Sequence, residues 1–155
     1  MELKELKNLY SGYEKKYKLP GFDKLNEQFE IEKIDRESGI LMRVIRKIMM
    51  DKVVNSLAFL DMIANPMNAP RIYLSFIKSI SEKDKEVMEK LYDTFGNLSL
   101  SCLALELDYS EKKEAEMVKS IYEQWEKARP EFSDLLKRVH KPLKNDVKKE
   151  KSYFG

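Results

Sequence analysis

His140 is the only histidine in the chain and Cys102 the only cysteine, and these two counts decide most of the metal and nucleophile chemistry. A di-metal site inside a helical bundle needs two Glu-x-x-His pairs, and zinc sites draw on several histidines or cysteines; this chain supplies neither set. His140 sits between Arg138 and Lys141, where a solvated side chain or a helix-end contact is expected rather than a general base. Carboxylate pairs at helical spacing occur as Glu27/Glu30, Glu86/Glu89 and Glu111/Glu114. Acid–base catalysis wants two carboxyls in an apolar cleft that drives their pKa values apart, whereas these stand among lysines and read as solvated helix surface. The serines have no Gly-x-Ser-x-Gly context, and the glycines at 12, 21, 39, 96 and 155 are isolated, so no phosphate-cradling loop exists. No catalytic, cofactor-binding or metal-binding residue is assigned, no cofactor is implied, and a non-enzymatic role is expected.

Two clusters remain that could contact a partner. Arg43, Arg46 and Lys47 fall within about 100° of one another on a helix, together with Met50 and Val54. Such a triplet could grip a phosphate or an acidic partner, or pair internally with acids of a packed neighbour. The second cluster is the C-terminus. Residues 137–151 hold seven Lys or Arg against two acids, so this stretch contributes +5 to a chain of net charge +2 and leaves −3 for residues 1–136. Lys148 and Lys149 could neutralise phosphates, and Tyr153 and Phe154 could stack on bases or dock in a partner's apolar groove.

The elements that must position these residues are helices. Leu3, Leu6, Tyr10, Tyr13 and Tyr17 recur every three or four residues and predict a helix over 2–18, ended by Pro20-Gly21. Phe22, Leu25 and Phe29 repeat the pattern in a shorter one. Residues 36–64 read as one long central helix, stopped by Asn65-Pro66. Its apolar positions, Ile45, Ile48, Met49, Val53, Leu57 and Leu60 among them, cover more than half the circumference, so it should be enclosed by neighbours, with Ile48 and Leu57 in the core. Asn68 is placed to cap the next helix, with Pro70 in its first turn.

Ser81-Glu82-Lys83-Asp84 reads as a capping-box start for a helix carrying Val87, Leu91, Phe95, Leu98, Cys102 and Leu105. Gly96-Asn97 and the alternating Leu98-Ser99-Leu100-Ser101 are its weak point, but the absence of Val, Ile and Thr from 98–109 favours helix. Ser110 caps a helix over 111–128 bearing Ala115, Val118, Ile121 and Trp125, and Pro130 marks the start of a further, shorter one. Trp125, Tyr122 and the tyrosine stripe at 10, 13 and 17 read as core rather than an aromatic binding box, and Cys102 as packing.

The segments LPGFDKLNEQFEIEKI (19–34), NPMNAP (65–70) and DYSEKKEAE (108–116) together resemble a set of small archaeal all-helical proteins without an assigned activity. That resemblance implies an archaeal-type cytosolic protein and carries over no activity and no site residues.

A hydrophobic content of 43% in 155 residues is enough for one real core. The expected fold is therefore all-α, an irregular helical bundle of about six or seven helices around the 36–64 helix. Residues 1–142 form the domain and 143–155 a basic, mobile tail. A lone cysteine, a charged N-terminus and no apolar run of the ~20 residues that a membrane span needs point to the cytoplasm and away from membranes. Helical domains without chemical motifs commonly act through surfaces. The expected function is thus a protein-interaction or adaptor module whose partner is another protein, contacted through the Arg43 face or the tail. The alternative is a nucleic-acid or ribonucleoprotein accessory protein that contacts RNA or DNA through the tail. No oligomeric state follows from the sequence.

Overall fold

A computed structural model describes residues 2–34 and 40–153, apart from the side chains of 68 and 139–153. The described residues form six α-helices and two short 3₁₀ turns, with no strand among them: α1 (Leu3–Tyr17), α2 (Phe22–Phe29), α3 (Leu41–Ala64), α4 (Arg71–Ser79), α5 (Glu82–Leu107) and α6 (Glu111–Tyr153). The chain is an all-α helical bundle, and its helix boundaries have local causes. Glu2 and Glu5 form a reciprocal cap at the start of α1. At α5 the Asp84 amide donates to the Ser81 hydroxyl oxygen at 3.1 Å while the Asp84 carboxylate accepts back from Ser81, the arrangement expected from the Ser81 motif. The Ser110 hydroxyl accepts from the Lys113 amide at 3.4 Å. Helix α4 begins after Pro70, which itself occupies the capping position without a side-chain bond; Asn68 belongs to a 3₁₀ turn, and its side chain lies outside the described residues.

Helix α5 runs unbroken through Gly96-Asn97, as the composition of 98–109 predicts. One boundary changes: Pro130 does not start a separate helix, and α6 runs unbroken for 43 residues. A proline inside a helix forfeits one hydrogen bond and costs ~3 kcal/mol. Here Ala128 and Leu135 are buried on either side of it, and burial of that stripe outweighs the lost bond. The backbone of the expected tail, past Pro142, belongs to the same helix as far as Tyr153.

The chain divides into two compact units, 1–55 with 97–125, and 56–96 with 126–155. In the first, α1 and α2 contribute Leu6, Tyr10, Phe22, Leu25 and Phe29 to a core completed by Met42, Ile45, Met49, Leu98, Cys102, Val118 and Ile121. The fully buried Tyr10 donates to the Pro20 carbonyl at 2.6 Å and meets Phe22 edge to face, so the Pro20-Gly21 bend is tied back onto α1. Phe29 and Trp125 pack at 5.8 Å with the Lys52 ammonium over both rings. In the second unit, Phe59, Phe95 and Phe132 form an edge-to-face chain flanked by buried Leu60, Phe76 and Leu91. The buried seam of α3 is Met42, Ile45, Met49, Val53, Leu60 and Ile63. Ile48 and Leu57 are only half-buried, because they stand beside that seam on a helix that leaves Lys47, Asp51, Val54 and Asn55 exposed.

Candidate functional site

The basic triplet on α3 can be followed atom by atom within the first unit. Arg43 and Arg46 both face the first turns of α6, where Glu114 is completely buried. The Arg43 Nε donates to Glu114 Oε1 at 3.0 Å and its Nη2 to the Leu105 carbonyl at 3.2 Å. The Arg46 Nε donates to Glu114 Oε2 at 2.5 Å, and its Nη2 donates to Glu106 Oε1 at 2.6 Å. Lys47, more than half exposed, reaches the other Glu106 oxygen at 3.6 Å. The Tyr109 ring lies 4.8 Å from the Arg43 guanidinium carbon, a stacking that suits a planar cation.

Electrostatics follow from this geometry. Burial opposes the charge of Arg46, yet the hydrogen bonds to Glu114 and Glu106 outweigh it and hold the guanidinium more firmly protonated than usual. The Arg46 bond holds the Glu106 carboxyl below its ordinary range. Burial pushes the Cys102 thiol up, against the opposing pull of Arg46, which keeps it protonated and inert as a nucleophile. Arg46 is 2% exposed and presents no surface to a phosphate or a partner. Arg43, about a quarter exposed, donates inside the chain to Glu114 and to the Leu105 carbonyl, and Lys47 is the most exposed of the three. The cluster joins α3, α5 and α6 by charge; a buried pair of this kind is strongly destabilising to break while adding little net stability over an apolar replacement.

Glu114 and Glu106 were not expected here, since the Glu111/Glu114 pair reads as solvated surface in the sequence. A signal existed: Glu114 lies four residues before Val118 and seven before Ile121, so it shares the buried face of α6. Glu111 does remain near the surface, where Lys16 and the Tyr17 hydroxyl both donate to it and hold its carboxyl low.

Lys148, Lys149 and Tyr153 have backbone in α6, but their side chains, like that of His140 and the whole of Phe154, lie outside the described residues. Among the described residues no group of three or more His, Cys, Asp or Glu could hold a metal ion, and no helix is long and apolar enough to cross a membrane.

A second feature of the same unit went unread in the sequence. The leucine-rich end of α5 has two apolar faces. Leu98, Cys102 and Leu105 are buried. Leu100, Leu103 and Leu107, spaced i, i+3, i+7 on the other side, are 66%, 61% and 91% exposed. Ala104, also exposed, lies among them, and Tyr109 follows just past the helix end, partly exposed. One buried stripe accounts for the helix; the second has no cover within the described residues.

No family model, no curated protein and no solved structure matches this chain.

Proposed function

We propose that the chain is a non-catalytic protein-interaction module whose contact face is the exposed leucine stripe of α5. The observation that carries this is the spacing and exposure of Leu100, Leu103 and Leu107: three anchors at i, i+3, i+7 are what a helix offers to another amphipathic helix. Isolated exposed leucines need no explanation, whereas a contiguous row does. The stripe spans eight residues, 100–107, about 10 Å of helix axis, far less than the 20 or more residues per side of a permanent interface. It therefore suits the central anchor of a transient contact, with Tyr109 adding an aromatic edge. The Arg43 cluster supports this face from beneath by holding the segment from Leu105 to Glu114 on α3, and it is not itself the contact.

The reading is tested by placing a photo-crosslinking residue at position 103 or 107 and, as a control, at the exposed Glu116 of α6, in the native cell extract. The expected result is a discrete adduct with one other protein from 103 and 107 only, through an amphipathic helix of that protein, lost when Leu100 is changed to Glu. No adduct, or adducts equal to those of the control, would remove the stripe as a contact face. An adduct only with a second copy of the chain would replace an adaptor with a self-associating protein.

A further inference from the structure

The second unit holds a cavity of about 640 Å³ that the leucine face does not involve. Its floor is apolar, formed by Leu60 and Ile63 of α3, Ile77 and Ile80 around the end of α4, and Met88 of α5. Its mouth is different in kind. Asp61, Glu89 and Asp93 border it together with the ring of Tyr92, and all four side chains are exposed. Among the described lining residues the single cation, Lys85, is held by Glu82 at 2.6 Å. Asp61 accepts a hydrogen bond from Asn65 at 3.1 Å. Glu89 and Asp93 have no ion pair or hydrogen bond among the described residues, and at i, i+4 on α5 they are neighbours on one face, with Tyr92 beside them.

We propose that this cavity binds an organic cation with an apolar body: an ammonium or guanidinium head at the mouth and a hydrocarbon or aromatic tail on the floor. The volume is that of a small-molecule site, which typically spans ~300–1,000 Å³ and is mostly apolar with a few polar groups at defined places. The charge of the mouth selects the sign of the ligand. Two like carboxylates one helical turn apart repel each other, and a cation between them relieves that repulsion. Tyr92 offers the negative face of its ring to the same cation. An anion would meet three carboxylates and one already paired lysine. A neutral apolar molecule could fill the floor but would leave the carboxylates as they are.

The test uses phenylbutylammonium, with phenylbutanol and phenylbutyrate as neutral and anionic counterparts of the same apolar body, on the full chain. Methyl resonances of Ile63, Ile77 and Ile80 report occupancy, and titration calorimetry gives affinity. The ammonium is expected to shift these methyls and to bind tightest, by about three- to ten-fold over the alcohol, with the carboxylate weakest. The double variant Glu89→Gln, Asp93→Asn should erase the advantage of the ammonium, leave the alcohol's affinity unchanged and leave the melting temperature unchanged, since both side chains are exposed. The proposal is overturned if none of the three compounds moves these methyls, if alcohol and ammonium bind equally, or if the double variant keeps the preference. A lysine-rich amphipathic peptide that shifts the same methyls when phenylbutylammonium does not would make the cavity a peptide groove and would also refute it.

Discussion

Changing Glu114 to Gln alters one atom of a completely buried side chain and should be among the most damaging conservative changes in the protein. The carboxylate accepts from Arg43 at 3.0 Å and from Arg46 at 2.5 Å. An amide keeps one acceptor and turns donor protons toward the guanidinium that remains. Uncoupling a buried ion pair costs ~3–5 kcal/mol because a charge is left uncompensated. The lower end applies here, since Arg46 retains Glu106 at 2.6 Å and Arg43 retains the Leu105 carbonyl at 3.2 Å. Loss of a negative charge in the first turns of α6 adds a few tenths through the helix dipole. A cost of ~3 kcal/mol divided by a urea slope of ~2 kcal/mol/M lowers the urea midpoint by about 1.5 M. The complementary arm replaces the cluster by apolar side chains, Arg43→Met, Arg46→Met and Glu114→Leu together. Removing all three desolvation penalties should bring stability back to the wild-type level or up to ~4 kcal/mol above it. Urea melts followed by circular dichroism measure both. A Glu114→Gln midpoint within about 0.5 M of wild type, or a triple variant no better than the single one, would refute the view that these charges hold the helices at a high desolvation cost.

Other outcomes follow from the same structure. Gly96→Ala should stabilise by ~0.5–1 kcal/mol in the same melts, because the position is helical and an added Cβ meets nothing within 4 Å. Ile45→Ala should cost ~2–5 kcal/mol and Ile48→Ala distinctly less, since only the first is fully buried; equal losses would contradict the assigned seam of α3. The carboxyls of Glu106, Glu111 and Asp84 are held low by Arg46, by Lys16 and by the Ser81 hydroxyl respectively. The folded state therefore binds fewer protons than the unfolded chain below the ordinary glutamate value of 4.5. Their contribution is complete above that pH and is lost as pH falls through the lowered values, so the melting temperature should decline from about pH 4.5 downward, and a flat profile into strong acid would be the contrary result. Cys102, buried and with its thiol pushed up, should react with a thiol reagent only as fast as the chain opens, with a rate that rises steeply in urea.

The parts of this protein that were legible in its sequence are those whose causes lie within four or five residues. Leu6 and Tyr10, Phe22 and Leu25, and Leu98 and Cys102 recur at the helical period, so α1, α2 and the buried face of α5 could be read directly. The Ser81 and Ser110 caps satisfy backbone amides three residues away and needed no knowledge of the rest of the fold. The class of fold followed from such local signals.

Tertiary structure alone decided which of several adequate faces is covered. Period and composition allow Ile48 and Leu57 the same burial as Ile45 and Leu60, and only the neighbours of α3 distinguish them. The same holds for Leu100, Leu103 and Leu107, which are as apolar as the buried leucines of α5 but lie on the side that no described element covers. Pro130 reads as a boundary because its local cost is clear, whereas the burial that carries α6 through it comes from residues distant in the chain. Glu114 is the sharpest case: its two partners stand 71 and 68 residues earlier. A carboxylate on the core side of a helix is untenable until another element supplies arginines to meet it. Local periodicity specifies what a helix could bury; long-range packing decides what it does bury, because desolvation and charge pairing depend on which surfaces meet, however far apart they stand in the chain.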